Sequence, residues 1–185
     1  MHPRTLIAVC LSALTPLAAP AVDGPVAIVP GSLEVTVAVE ANITSFVATV
    51  QGGRLAIVAD PVNQTIDSAV YTFDWSEIRT GDAKRDRTML DWAQAKEHPT
   101  GTFTLKSFES HDGARIAKGS LEFHGVSRDI EFPVEIVPSG TGFKVSGHGT
   151  IDYRDWGLKQ FRKFLVFVVK PTVTVNFSFE VTPST

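Results

Sequence analysis

Residues 78–103 read IRTGDAKRDRTMLDWAQAKEHPTGTF. Strand-forming residues stop at Thr80-Gly81, and the charged segment that follows changes period. Met89, Trp92 and Ala93 fall at i, i+3 and i+4, which places them on one face of a helix over residues 82–94. Asp82 suits the N-cap, because its carboxylate can accept from the free amides of the first turn. Lys84, Arg85, Asp86, Arg87 and Asp91 make the other faces polar. His98-Pro99 ends the helix, and strand resumes at Gly101-Thr102-Phe103. A single helix set among strands predicts a sheet closed on itself with one lid.

Working outward, the flanking sequence alternates with period two. Leu33, Val35, Val37 and Val39 interleave with Glu34, Thr36, Ala38 and Glu40, a half-buried strand. Strands follow over 43–50, 54–59 and 68–78, separated by the Gln51-Gly52-Gly53 turn and by Asp60-Pro61. Beyond the helix, strands are expected over 102–109, 114–124, 129–136, 143–153 and 172–181. Pro133 removes a ladder donor, so its strand should be an edge, bulged or solvent-facing there. His124 reads as a turn residue tied to the Gly125 backbone. Short strands with frequent turns indicate an antiparallel sandwich or barrel.

The composition agrees with one globular domain. Of 185 residues, 43% are apolar and 20% charged, which allows a core and argues against disorder. A net charge of −3 gives no electrostatic reason to expect nucleic acid. His2 and Arg4, an apolar run from Leu6 to Leu14 and the Ala19-Pro20-Ala21 site resemble a signal peptide over residues 1–21, leaving a domain over 22–185. That reading places the protein in the periplasm or outside the cell. Cys10 is the only cysteine and lies in the leader, so the mature chain has no disulfide and no thiolate ligand.

Four motifs in order resemble one family. Ile78-Arg79-Thr80-Gly81 with Arg85-Asp86 is similar to the S-I-x-T-G and R-D segment of the YceI-like family of bacterial periplasmic proteins. His98-Pro99-Thr100 with Phe103 resembles its P-x-x-x-F. Gly119-Ser120-Leu121 with His124-Gly125-Val126 and Pro133-Val134 resembles its G-x-L, H-G-V and P-V run. Asp155-Trp156-Gly157-Leu158 resembles a D-(F/W)-G-(I/L) near its end. The resemblance covers roughly residues 33–181. Where the family often has His-Leu after Arg-Asp, this chain has Arg87-Thr88-Met89-Leu90. The resemblance implies an all-β fold: an eight-stranded, antiparallel, lipocalin-like barrel with one helix capping an end. It also implies an elongated cavity for a long-chain lipid, such as an isoprenoid, an isoprenoid quinone or a fatty-acid derivative, and no catalysis.

The residues themselves allow two interiors. Trp92, Phe103, Leu105, Leu121, Phe123, Phe132, Val134, Ile136, Val175 and Phe177 are the inward candidates for contact with a ligand, alongside Val145, Val173 and Phe179. Alternation alone leaves open whether they line a hollow or fill a dry core, as in a structural or stress-related envelope protein without ligand. Eight strands are just wide enough for either. Arg85 is the polar candidate. It could grip an anionic head group with two parallel hydrogen bonds, or anchor the lid in an ion pair with Asp86, the role we prefer. The apolar run over 161–169 could be a barrel strand, an edge that touches a membrane, or a homodimer contact, and Arg162 and Lys163 beside it would suit an anionic surface. No G-x-S-x-G elbow and no paired carboxylates support hydrolysis. The histidines lack metal-ligand spacing, so neither a metal nor a cofactor is expected, apart from a bound isoprenoid or isoprenoid quinone as ligand.

Overall fold

The computed structural model describes residues 26–111, 114–163 and 166–184. The leader read over residues 1–21, with Cys10, lies outside them. Before the lid come β1 (Val26–Ile28), β2 (Glu34–Ala41), β3 (Phe46–Val50), β4 (Arg54–Asp60), β5 (Thr65–Asp74) and β6 (Ile78–Arg79). The lid is α1 (Ala83–Trp92). After it come β7 (Thr100–His111), β8 (Ala114–Phe123), β9 (Val126–Ser139), β10 (Gly142–Asp152), β11 (Arg162–Lys163) and β12 (Phe167–Pro183). One-turn 3-10 segments cover Trp75–Glu77 and Tyr153–Trp156.

All strands join one antiparallel sheet in the order β4-β5-β7-β8-β9-β10-β12-β2-β3-β6, with β1 and β11 also paired to β12. The sheet curls strongly into a half-barrel, and β1 comes to lie against β4. Register shifts at Val58/Ala59, Leu105/Ser107 and Val169/Val173 interrupt three ladders. Such bulges bend a strand and sharpen its twist. The described residues form twelve strands, a few more than the eight of the expected barrel. Three of them, β1, β6 and β11, span only two or three residues, too few to carry a period-two pattern. The nine longer strands match the nine read from alternation, and β3 and β4 flank the Gln51-Gly52-Gly53 turn without pairing with each other, β3 joining β2 and β4 joining β5.

Pro133 sits where the expectation put it. The β9–β10 ladder runs from Ser139↔Gly142 to Val134↔Gly147 and stops there, while pairing with β8 continues through Ile116↔Pro133. The missing amide therefore falls where no partner on β10 needs it.

The interior has two packed regions. Under the lid, Trp75, Ile78, Ala93, Phe123, Tyr153, Trp156 and Leu158 cluster. At the other end Phe143, Val145 and Val181 are fully buried together with Phe179, Ala117 and Ile66. Each large apolar side chain buried this way contributes about 1.5–3 kcal/mol. This second cluster closes that end of the curled sheet.

The lid forms as the sequence predicts, one or two residues shorter at its ends. Asp82 caps it, accepting from the amides of Lys84 at 2.8 Å and Arg85 at 3.0 Å. Its far end is tied to the body by Trp92 Nε1, which donates to the Lys159 carbonyl at 2.7 Å. His124 corrects one expectation. It does lie in a two-residue hairpin turn, with φ of 52° ahead of Gly125 at 72°, both in the left-handed region such turns require. Its ring, however, reaches away from Gly125: Nδ1 meets the Trp156 carbonyl at 2.9 Å and Nε2 meets Gln94 Oε1 at 2.7 Å. The turn thus clamps the end of the lid segment to the 3-10 turn at Trp156, and the His98 ring packs beside it at 4.7 Å.

Candidate functional site

The space between the two packed regions is a cavity of about 570 Å³. Its wall follows from pleating: alternate residues of the curled strands point inward. On β2 these are Val35, Val37 and Val39, on β5 Tyr71 and Phe73, on β12 Val173, Val175 and Phe177. Most are only half-buried despite facing inward, because they border open space. Small residues on neighbouring strands make room for the rings. A side chain at Gly119 would collide with the Phe103 ring, and one at Gly147 with the Phe177 ring. Phe103, Phe132 and Phe177 consequently form an aromatic run across three strands, with ring centroids 5.4 Å apart at each step.

Ten of the eleven candidates read from the sequence border this cavity: Trp92, Phe103, Leu105, Leu121, Phe123, Phe132, Val134, Val175, Phe177 and Arg85. Ile136 does not. It faces inward opposite Val145, but deeper, where it packs on the closed end. Several wall residues went unnominated, among them Val37, Phe46, Tyr71, Phe73 and Phe161. The alternation of β2 was the available signal for Val37, and the aromatic spacing of β5 for Tyr71 and Phe73.

Polar groups gather at the lidded rim, where Thr80, Asp82, Lys84, Arg85, Thr88 and Lys163 border the opening. Arg85 and Asp86 both serve Thr80 here. Arg85 Nη2 donates to the Thr80 carbonyl at 2.7 Å, and Asp86 Oδ1 accepts from the Thr80 amide at 2.9 Å and from its hydroxyl. Thr80 is the only buried polar residue of the described core, at 6% exposure. The guanidinium also lies 4.1 Å above the Phe46 ring. The lid-anchoring role expected of this pair therefore exists, but through Thr80 rather than through an ion pair between the two. Deeper in the wall, burial and then the Glu77 carboxylate push the Tyr71 hydroxyl up to about 12, so the phenol stays neutral. A second depression, of about 490 Å³, lies on the outer face near Glu34, Glu135, His148 and Asn176. It is open to solvent and lined mainly by polar side chains.

Of the run over 161–169, residues 164 and 165 lie outside the described ones, and the rest joins the sheet. β11 and the start of β12 pair as Arg162↔Val168 and Lys163↔Phe167, a short hairpin at the rim, with Phe161, Phe167 and Val169 facing the cavity. Asn42, in the β2–β3 turn, holds this hairpin. Its side-chain amide donates to the Val166 carbonyl at 2.7 Å, its side-chain oxygen accepts from the Val168 amide at 2.9 Å, and its own amide donates to the Val168 carbonyl at 3.1 Å.

The profile of the YceI-like domain matches residues 27–181. The chain belongs to the YceI-like family. No curated protein matches it significantly. Among solved structures, BcnA of Burkholderia cenocepacia is similar with a TM-score of 0.74 at 18% identity, covering 84% of this chain and all of BcnA. A YceI protein of Campylobacter jejuni gives 0.68 at 22% identity, over 78% of this chain and 88% of that one. A polyisoprenoid-binding domain from Saccharophagus degradans, implicated in plant cell wall breakdown, gives 0.68 at 14% identity, over 87% and 99%. These likenesses establish the YceI-like fold. Among the described residues, no helix is long and apolar enough to cross a membrane.

Proposed function

We propose that this YceI-like protein is an exported carrier that holds the chain of a long lipid in its lidded cavity: an isoprenoid, an isoprenoid quinone or a fatty-acid derivative. The cavity carries the reading. A volume of about 570 Å³ falls in the range of roughly 300–1,000 Å³ usual for small-molecule sites. Left empty, the apolar wall forfeits its dispersion contacts along the whole hollow. Water fills such a wall poorly, since each molecule needs two to four polar partners and the walls below the rim are almost entirely aliphatic and aromatic. An apolar chain matches it, gaining about 0.8 kcal/mol per methylene removed from water.

The ten bordering candidates become contacts for the chain, with Trp92 on the inner face of the lid. Arg85 lies at the rim, where a phosphate or carboxylate head would meet it. The Saccharophagus degradans domain, named for polyisoprenoid binding, supports the choice of ligand class. The role is binding rather than catalysis. The alternative of a self-filled envelope protein describes only the closed end of the interior, where Phe143 and Val181 pack.

Native mass spectrometry of the protein, followed by organic extraction, tests this. A co-purifying prenyl or acyl lipid, or saturable uptake of prenyl and acyl probes by the extracted protein, is the expected result. An empty protein that takes up neither kind of probe would sink the proposal.

A further inference from the structure

We infer that the rim formed by the β2–β3 turn and the β11–β12 hairpin is a docking surface for an anionic lipid bilayer, so that a ligand enters the cavity from the membrane without crossing water. The inference rests on the lipid-carrier reading for its purpose, but its geometry stands separately. Ile43 is 62% exposed and Val166 65% exposed, among the most exposed large apolar side chains described. Far apart in sequence, they are displayed on two loops that Asn42 fastens together through Val166 and Val168. Two exposed apolar side chains brought together by Asn42 offer a bilayer two points of insertion beside the opening.

These loops flank the opening. Phe46, three residues after Ile43, borders the cavity and carries the Arg85 guanidinium of the lid. Phe167, next to Val166, borders the cavity as well. Whatever covers Ile43 and Val166 therefore faces the entrance. The charge around them selects the partner. Lys84 on the first turn of the lid and Arg162 on the hairpin are exposed, in a chain whose net charge is −3. Of the neighbouring acids, Glu40 is paired with Lys170 at 2.5 Å, while Asp82 keeps its charge and is turned onto the lid's first amides. Exposed apolar tips with cations beside them suit a bilayer carrying anionic head groups, which draws basic residues near its surface. A lipid ligand gives the same direction, because its source is a bilayer.

Flotation with vesicles of phosphatidylcholine, with and without phosphatidylglycerol, tests this on the full mature protein. The expected result is association with the phosphatidylglycerol vesicles that weakens as salt rises, in keeping with screening. Arg162→Glu should reduce it several-fold, and Ile43→Asp with Val166→Asp at least ten-fold. None of these side chains borders the cavity, so uptake of a soluble prenyl or acyl probe should be unchanged. Absence of vesicle association, or equal association by the variants, would overturn the docking surface. So would a wild-type dimer that the same substitutions convert to monomer without any vesicle binding. Failure of probe uptake with vesicle association retained would instead count against the carrier reading.

Discussion

The residue that organises the lid is Thr80, and its neighbours settle what Arg85 and Asp86 do. Removing Asp86 leaves the buried Thr80 amide without its acceptor, at about 1–3 kcal/mol, while the hydroxyl can still turn to the Asp82 carbonyl at 3.3 Å. Asp86→Ala should therefore lower stability by roughly 1–3 kcal/mol in denaturant titration. Arg85→Ala removes one donor and the contact over Phe46, and a loss of about 1–2 kcal/mol is expected. If these roles are structural alone, both losses will be the same in lipid-loaded and extracted protein. An Arg85→Ala loss that grows on loading with an anionic lipid would assign the guanidinium to the head group as well. The motif Arg85-Asp86 was legible in the sequence, but its shared target was not. Thr80 lies five and six residues upstream, and only the turn at Gly81, with φ of 79°, folds it back onto the helix.

At the scale of the element, the lid and the strands were readable for one reason: period. Met89, Trp92 and Ala93 marked the inner face of α1, and Ala93 is fully buried while Met89 and Trp92 border the cavity. Asp82 marked its start. Hydrogen bonds from the amides of Arg85 and then Lys84 hold the Asp82 carboxylate below its ordinary value of 3.8. A depressed folded pKa stabilises the lid above that ordinary value and loses its effect as pH falls through the lower folded value. Trp92 fluorescence should accordingly stay constant above pH 3.8 and report loosening of the lid only below it, and Asp82→Ala should abolish that acid-dependent step. Elements held by distant partners left no such mark. The two-residue β11 and the role of Asn42 depend on hydrogen bonds spanning 124 and 126 residues, which local patterning does not encode.

For the whole molecule, alternation told inside from outside but not depth along the axis. Ile136 and Val175 look alike in sequence, yet one packs the closed end and the other borders the hollow. Depth depends on register between strands, set by bulges and turns far apart in the chain. The two ends should respond oppositely to added volume. Overfilling a packed core costs about 1–3 kcal/mol. Val181→Phe, at 1% exposure in the closed end, should be destabilising by about that much or more. Val175→Phe, beside open space, should leave thermal stability nearly unchanged while cutting lipid capacity. Equal destabilisation by both would argue that the hollow is not there in solution.

The plug of Phe143, Val145 and Val181 gives the interior one blind end. On the proposed carrier role, a guest entering at the rim goes in tail first, with its head at the threshold. Such a blind-ended hollow would measure the length of its guest. Across a homologous series of prenyl or acyl chains, affinity should climb by about 0.8 kcal/mol per methylene until the tail touches bottom, and then stop climbing. Further carbons would stand outside the doorway, in whatever medium the doorway faces.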